Sequence, residues 1–204
     1  MSSPIAILTH GDLDGMVCGI LLLRAVSQDA SVRIINGEKL ANELRALAGL
    51  PEPAQDVFIT DIPLVSHADS VVMELAADLK QRGCRIHVYD HHRGWDAQPR
   101  DLFAAFVVDV SKTTAAAIVW RELLRGDTTS QRWLRLLSEK DRSDDPQIVE
   151  HFGLLVALMQ PSHWKHTETV IRALASGAKL SADQKALSRG RCAGKSLPER
   201  LAKA

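Results

Sequence analysis

Pro4-Ile-Ala-Ile-Leu-Thr9 leads through His10-Gly-Asp-Leu-Asp-Gly15 into Met16-Val-Cys-Gly-Ile-Leu-Leu-Leu23. The first piece is a short apolar run, the pattern of a buried strand. The last is apolar all round and reads as a buried helix, too short to cross a bilayer. Between them stand an imidazole and two carboxylates, so polar chemistry begins where the strand runs out.

Outward from this stretch, the first helix is expected near Met16–Ser27. VRIIN (32–36) reads as a strand and EKLANELRAL (38–47) as an amphipathic helix. DVFITD (56–61) is the next strand, followed by a helix from about Leu64 to Gln81 that Gly83 stops. CRIHVYD (84–90) and FAAFVVD (103–109) are further strands. Strands that are almost continuously apolar and alternate with helices indicate an α/β fold, with a mostly parallel sheet covered by helices on both faces. From Ser111 onward TTAAAIVWRELLRG, SQRWLRLLSEKD, IVEHFGLLVALM and ETVIRALASG all read as helix. The expected organisation is one domain over 1–145 and a short, basic helical extension over 146–204.

The 204 residues, 46% of them hydrophobic, suffice for one sizeable core. Cys18, Cys84 and Cys192 are far apart and show no C-x-x-C spacing, which suits a reducing compartment and argues against a disulfide frame or a thiolate zinc site. With no signal-peptide pattern and no run long enough to span a membrane, a cytoplasmic protein without a membrane partner is expected. Charges balance at 25 of each sign, yet residues 165–204 carry nine Lys/Arg against Glu168, Asp183 and Glu199. That basic end either faces an anionic partner such as a nucleic acid or is a solvated tail.

In an open parallel sheet, ligands bind beyond the carboxyl ends of the strands. His10, Asp12 and Asp14 follow the first strand, Asp61 follows DVFIT, and Asp90, His91 and His92 follow CRIHVY. One such Asp is ordinarily a turn or helix cap. Three strand ends carrying carboxylates and imidazoles would repel strongly unless cations neutralise them. Oxygen-rich donors with a few imidazoles and no thiolate suit manganese, magnesium or iron. Alternate residues of His10-x-Asp12-x-Asp14 share one side of an extended segment and offer more donors than one ion takes from a single loop. Two ions bridged by Asp61 are the economical arrangement. Such a pair, about 3.5–4 Å apart, activates water and clamps a phosphoryl group.

The ordered set His10-Gly-Asp-Leu-Asp-Gly15, Phe58-Ile-Thr-Asp61 and Tyr89-Asp-His-His92 resembles the motifs of the DHH phosphoesterase superfamily. That superfamily includes RecJ-type exonucleases, nanoRNase-type oligoribonucleases, cyclic-dinucleotide phosphodiesterases and family II pyrophosphatases. Ser111-Lys-Thr-Thr-Ala115 is similar to its Ser/Thr-rich helix start, and Ser138-Glu-Lys-Asp141 to its fourth acidic motif. The resemblance covers about residues 5–145. It implies that His10, Asp12 and Asp61 hold one ion, and that Asp14, Asp61, His91 and Asp141 hold the other. Asp90 would orient an imidazole, and His92 would face the substrate phosphate or leaving group. The implied cofactor is two divalent cations, manganese before magnesium. The implied substrate is a short oligonucleotide or dinucleotide cut at its phosphodiester bond, with pyrophosphate or polyphosphate as the alternative. The family's glycine-rich, histidine-containing accessory motif has no counterpart after residue 145, which leaves a non-catalytic binding module as a third reading.

Arg93 could hold a phosphate bidentately or be a surface arginine. Thr113 and Thr114 open a helix, where they would bind an anion or act as caps. Asp109 is expected to support that turn. His163-Trp164-x-His166 reads as exposed loop or as a base-stacking platform, and Trp120 and Trp133 as core. Gly190–Ser196 glances at a phosphate-binding loop, but it is one residue short between its glycines and follows no strand.

Overall fold

A computed structural model of the chain describes residues 4–65, 69–138, 146–160 and 163–188. Five strands form one parallel sheet: β1 (Ile5–His10), β2 (Ser31–Ile35), β3 (Asp56–Thr60), β4 (Arg85–Asp90) and β5 (Ala105–Val108). Their order across the sheet is β2-β1-β3-β4-β5. That order reverses direction between β1 and β3, the switch point at which doubly wound sheets open a crevice.

Side chains alternate between the two faces, as the pleat requires. Ile7, Phe58 and Tyr89 point into one core, and Ala6, Leu8, Val57, Ile59, Ile86 and Val88 into the other. The second core is closed by α2 (Leu40–Ala48), α3 (Asp69–Gln81) and the buried Trp95. The first is closed by α1 (Leu13–Ala25), α4 (Ala115–Leu123) and α5 (Thr128–Leu137). Over them lie α6 (Pro146–Leu158) and α7 (Trp164–Ala175), followed by α8 (Ala182–Ser188). Every residue of α1 from Gly15 to Leu23 is buried, because the sheet covers one side of it and neighbouring helices the others. Trp133 joins this core, and Trp120 packs against it partly buried.

The α/β class and the helical C-terminal region are as the sequence indicates, with shifted boundaries. The described part of α3 runs from Asp69, whereas a start near Leu64 is expected. Residues 62–65 carry no helix; there the Ile62 amide donates to Asp90 and a Cβ on Gly94 would lie 3.1 Å from Leu64 Cβ. Gly83, at φ +86°, ends that helix segment in a conformation that other residues adopt at a cost. Trp164 begins a helix instead of lying in a loop. Among the described residues no helix is long and apolar enough to cross a membrane. The expected division after residue 145 and the loop-like segment 190–196 lie at or within stretches outside the described residues.

Candidate metal centre

The carboxyl end of β1 turns directly into a helix. The expected extended stretch His10-x-Asp12-x-Asp14 is interrupted at Leu13, where α1 begins. Asp12 is the N-cap, accepting the Gly15 amide at 3.0 Å. His10 Nδ1 stands 2.9 Å from Asp12 Oδ2. Gly15 lets the first turn close on the strand, for a Cβ there would fall 2.4 Å from the His10 carbonyl oxygen. Beneath it, Thr60 donates to Thr9 Oγ1 at 3.1 Å, and Thr9 donates to the Gly15 carbonyl at 2.6 Å. These buried hydroxyls tie the ends of β1 and β3 to the start of α1.

Asp14, one helical step on, faces α4. Its Oδ2 accepts the amide of Ala115 at 2.7 Å and its Oδ1 that of Ala116 at 3.0 Å. These are two of the donors that a helix start leaves without intrahelical partners. Asp14 Oδ2 also lies 3.8 Å from His91 Nε2.

At the end of β3, Asp61 is buried and has φ +56°, the sole non-glycine residue with positive φ among the described residues. That backbone costs about 1–2 kcal/mol, less for Asp than for most side chains. Its Oδ1 lies 3.1 Å from His91 Nε2, while its buried Oδ2 has no hydrogen-bond donor.

Asp90 ends β4 fully buried. Oδ1 accepts the amides of His91 at 2.7 Å and His92 at 2.8 Å, and lies 2.6 Å from His92 Nδ1. Oδ2 accepts the Ile62 amide at 2.8 Å. His92 therefore carries a proton on Nδ1 and leaves Nε2 available. His91 Nδ1 lies 3.3 Å from the Lys112 carbonyl, which can only accept, so in the neutral ring Nε2 turns a lone pair towards Asp61.

Two groups of potential ligands result, each with its donor atoms within 4.8 Å of one another: His10, Asp12 and Asp61, and Asp61, His91 and His92. Asp61 belongs to both. Burial, followed by the negative charges of Asp14 and Asp12, pushes the Asp61 carboxyl far above its ordinary range. Burial also raises Asp14, against the opposing effect of the two α4 amides. Burial opposes ionisation of Asp12 too, but hydrogen bonds from His10, the Gly15 amide and Asp61 outweigh it and bring its pKa to about 2. With protein groups alone, burial and the neighbouring carboxylates favour a proton on Asp61. A lone pair aimed at a carboxylate and a buried oxygen without a donor are what a cation between these groups would satisfy. The donor set fits divalent metals.

The Asp90 hydrogen bond raises the His92 pKa despite burial. Of the other expected residues, Arg93 is exposed on a 3-10 turn, Thr113 is exposed, and Thr114 caps α4 by accepting from Ala117 at 3.3 Å. Asp109 accepts from Ser111 and Arg121, supporting the turn as expected. Asp141 lies outside the described residues. The Lys112 carbonyl and the Ile62 amide join the neighbourhood without any local signal in sequence, and Trp164, read from sequence as exposed or base-stacking, packs on Gly11. A cavity of about 150 Å³ lined by Arg24, Trp133 and His151 lies at the other end of α1 and includes none of the candidate residues.

The chain matches no protein-family model and no curated protein. Eleven solved chains match it in structure. An uncharacterized protein from Helicobacter pylori G27 is 16% identical with a TM-score of 0.58, over 98% of this chain and 67% of that one. The shared feature is the fold. An exopolyphosphatase-related protein from Bacteroides fragilis is 13% identical with a TM-score of 0.41, over 94% of this chain and 57% of that one. Exonuclease RecJ bound to manganese is 16% identical with a TM-score of 0.38, over 90% of this chain and 50% of that one. This chain thus spans between half and two-thirds of the length of these three structures.

Proposed function

We propose that this chain is a divalent-cation-dependent phosphoesterase of the DHH type, acting on the phosphodiester bonds of short oligonucleotides or dinucleotides. Asp61 carries the reading. It is buried, left-handed in its backbone, without a donor on one oxygen, and common to two groups of candidate ligands. Oxygens beside imidazoles, without thiolates, favour manganese or magnesium. A bound pair of such ions supplies charge neutralisation and a nucleophilic water for in-line attack at phosphorus.

The chain's own residues then have separate tasks. His10 and Asp12 face Asp61 on one side, and His91 faces it on the other with its ring oriented by the Lys112 carbonyl. Asp14 Oδ2 has a second lone pair, so it can keep its α4 amide and still serve as a ligand. Asp90 favours the protonated form of His92, which suits His92 to deliver a proton from Nε2 to the departing oxygen. Arg93, exposed beside it, is a cation open to substrate phosphates, whereas the first amides of α4 are already taken by Asp14.

Purified chain with manganese should convert dinucleotides and short oligonucleotides to mononucleotides. Phosphate release from pyrophosphate or polyphosphate with no action on diesters would reassign the substrate class. No turnover of any of these would overturn the enzymatic reading.

A further inference from the structure

The C-terminal helical layer touches the first motif at Gly11. A Cβ on Gly11 would fall 2.1 Å from Cζ2, 2.2 Å from Cε2 and 2.6 Å from Nε1 of Trp164. The indole therefore lies against the backbone between His10 and Asp12. Gly11 is not a glycine for conformational reasons. The positive-φ glycines among the described residues are Gly83, Gly126 and Gly177. Its backbone would accept an ordinary residue, and the indole is what excludes one.

Nor can the indole easily give way. Its Nε1 donates to the Met159 carbonyl at 3.2 Å. Val170, Ile171 and Leu174 anchor the same helix in the core. Arg172 adds hydrogen bonds to the carbonyls of Gln28 and Ala30, the latter at 2.9 Å. The Lys39 ammonium stands 5.9 Å from the centroid of the Trp164 ring. The ring is held by Met159 and by the anchoring of its helix, and what it presses on is the link between two candidate ligands.

Building on the metal-centre reading above, we propose that Trp164 is a positioning residue, which fixes the His10–Asp12 segment so that both side chains converge with Asp61. A glycine between two ligands is otherwise a flexible link, and ordering it on cation binding would cost affinity. Packing by Trp164 makes that ordering part of folding. The C-terminal helical layer thereby contributes to cation affinity without donating a ligand.

The test is manganese affinity, measured by titration calorimetry on the full chain and on Gly11→Ala, Trp164→Ala, the double variant and Trp164→Phe. Melting temperatures in chelator report any general loss of folding separately. Gly11→Ala should weaken manganese binding by about tenfold or more, the usual size of effect for residues that support ligands. Trp164→Ala should weaken it less, and Trp164→Phe least. The double variant should bind more tightly than Gly11→Ala alone, because removing the indole makes room for the new methyl group, a non-additive cycle. Equal affinities throughout, or losses that simply add, would overturn the positioning role. A wild-type chain that binds no manganese would instead overturn the metal centre itself.

Discussion

Asp90 Oδ1 lies 2.6 Å from His92 Nδ1, and the same oxygen accepts the backbone amides of both His91 and His92. Because Oδ2 accepts the Ile62 amide, one buried carboxylate ties the segment after β4 to the segment after β3. It also sets the tautomer of His92, leaving Nε2 without a proton in the neutral ring. Two adjacent histidines thus acquire different environments: His91 is oriented by a carbonyl and His92 by a carboxylate.

Asp90→Asn keeps the volume and removes the charge. An amide offers one acceptor oxygen and turns an NH2 group towards donors, so folding stability should fall by about 2–4 kcal/mol. The His92 titration followed by NMR should move down towards the ordinary value of 6.5, because its main raising partner is gone. An unchanged titration would show that Asp90 does not govern His92.

His10, Asp61, Asp90, His91 and His92 are legible in sequence because each ends or follows an apolar strand, which marks the carboxyl edge of the sheet. Asp14 is misplaced by the same reasoning. A two-residue period assumes an extended backbone, whereas Asp12 caps a helix that starts at Leu13 and carries Asp14 round to α4. The lack of helix at 62–65 is hidden for a similar reason, since the Ile62 amide is already committed to Asp90. Trp164 stands out in sequence only as a candidate stacking ring, and nothing local ties it to the first motif. Its partner Gly11 lies near the other end of the chain, and no helical or strand period reports a contact at that separation.

Asp14→Ala should loosen α4. Removing a carboxylate that accepts two helix-start amides costs about 1–2 kcal/mol, the scale of a lost N-cap with its dipole interaction. Hydrogen exchange in chelator should show faster exchange at the Ala115 and Ala116 amides. Protection equal to wild type would mean that Asp14 is not their acceptor in solution.

The pH dependence of the chelator-treated chain has a definite sign. Asp61, raised to about 11, holds a proton in the folded chain at neutral pH that the unfolded chain has released, and Asp14 is raised above 3.8 in the same direction. Their contribution is complete below 3.8 and is lost as pH rises towards the folded values. His92, raised above 6.5, contributes fully below that value and loses its contribution as pH passes its folded pKa. Asp12, Asp56 and Asp127 are lowered, so they titrate below 3.8 and drop out of a neutral-range comparison. Urea unfolding in chelator should therefore show stability falling between about pH 5 and 8, by up to about 1.4 kcal/mol per pH unit for one retained proton. Saturating manganese should remove much of that slope. A flat or rising profile in chelator would contradict the crowded, protonated Asp61.

Two substitutions at Asp61 separate its charge from its backbone. Asn tolerates the left-handed conformation at φ +56° and carries no charge to oppose Asp12 and Asp14. In chelator at neutral pH, Asp61→Asn should be at least as stable as wild type. Asp61→Ala should fall below Asp61→Asn by about 1 kcal/mol, because a β-carbon without a locally bonding side chain fits that conformation poorly. The order reverses against wild type once a cation is present. Manganese at about one hundred times its Kd adds about 2.7 kcal/mol to a chain that binds it only when folded, and both variants should lose that gain. Thermal melts with and without manganese measure all of these terms. Stabilisation of Asp61→Asn by manganese as large as that of wild type would show that Asp61 does not join the two ligand groups.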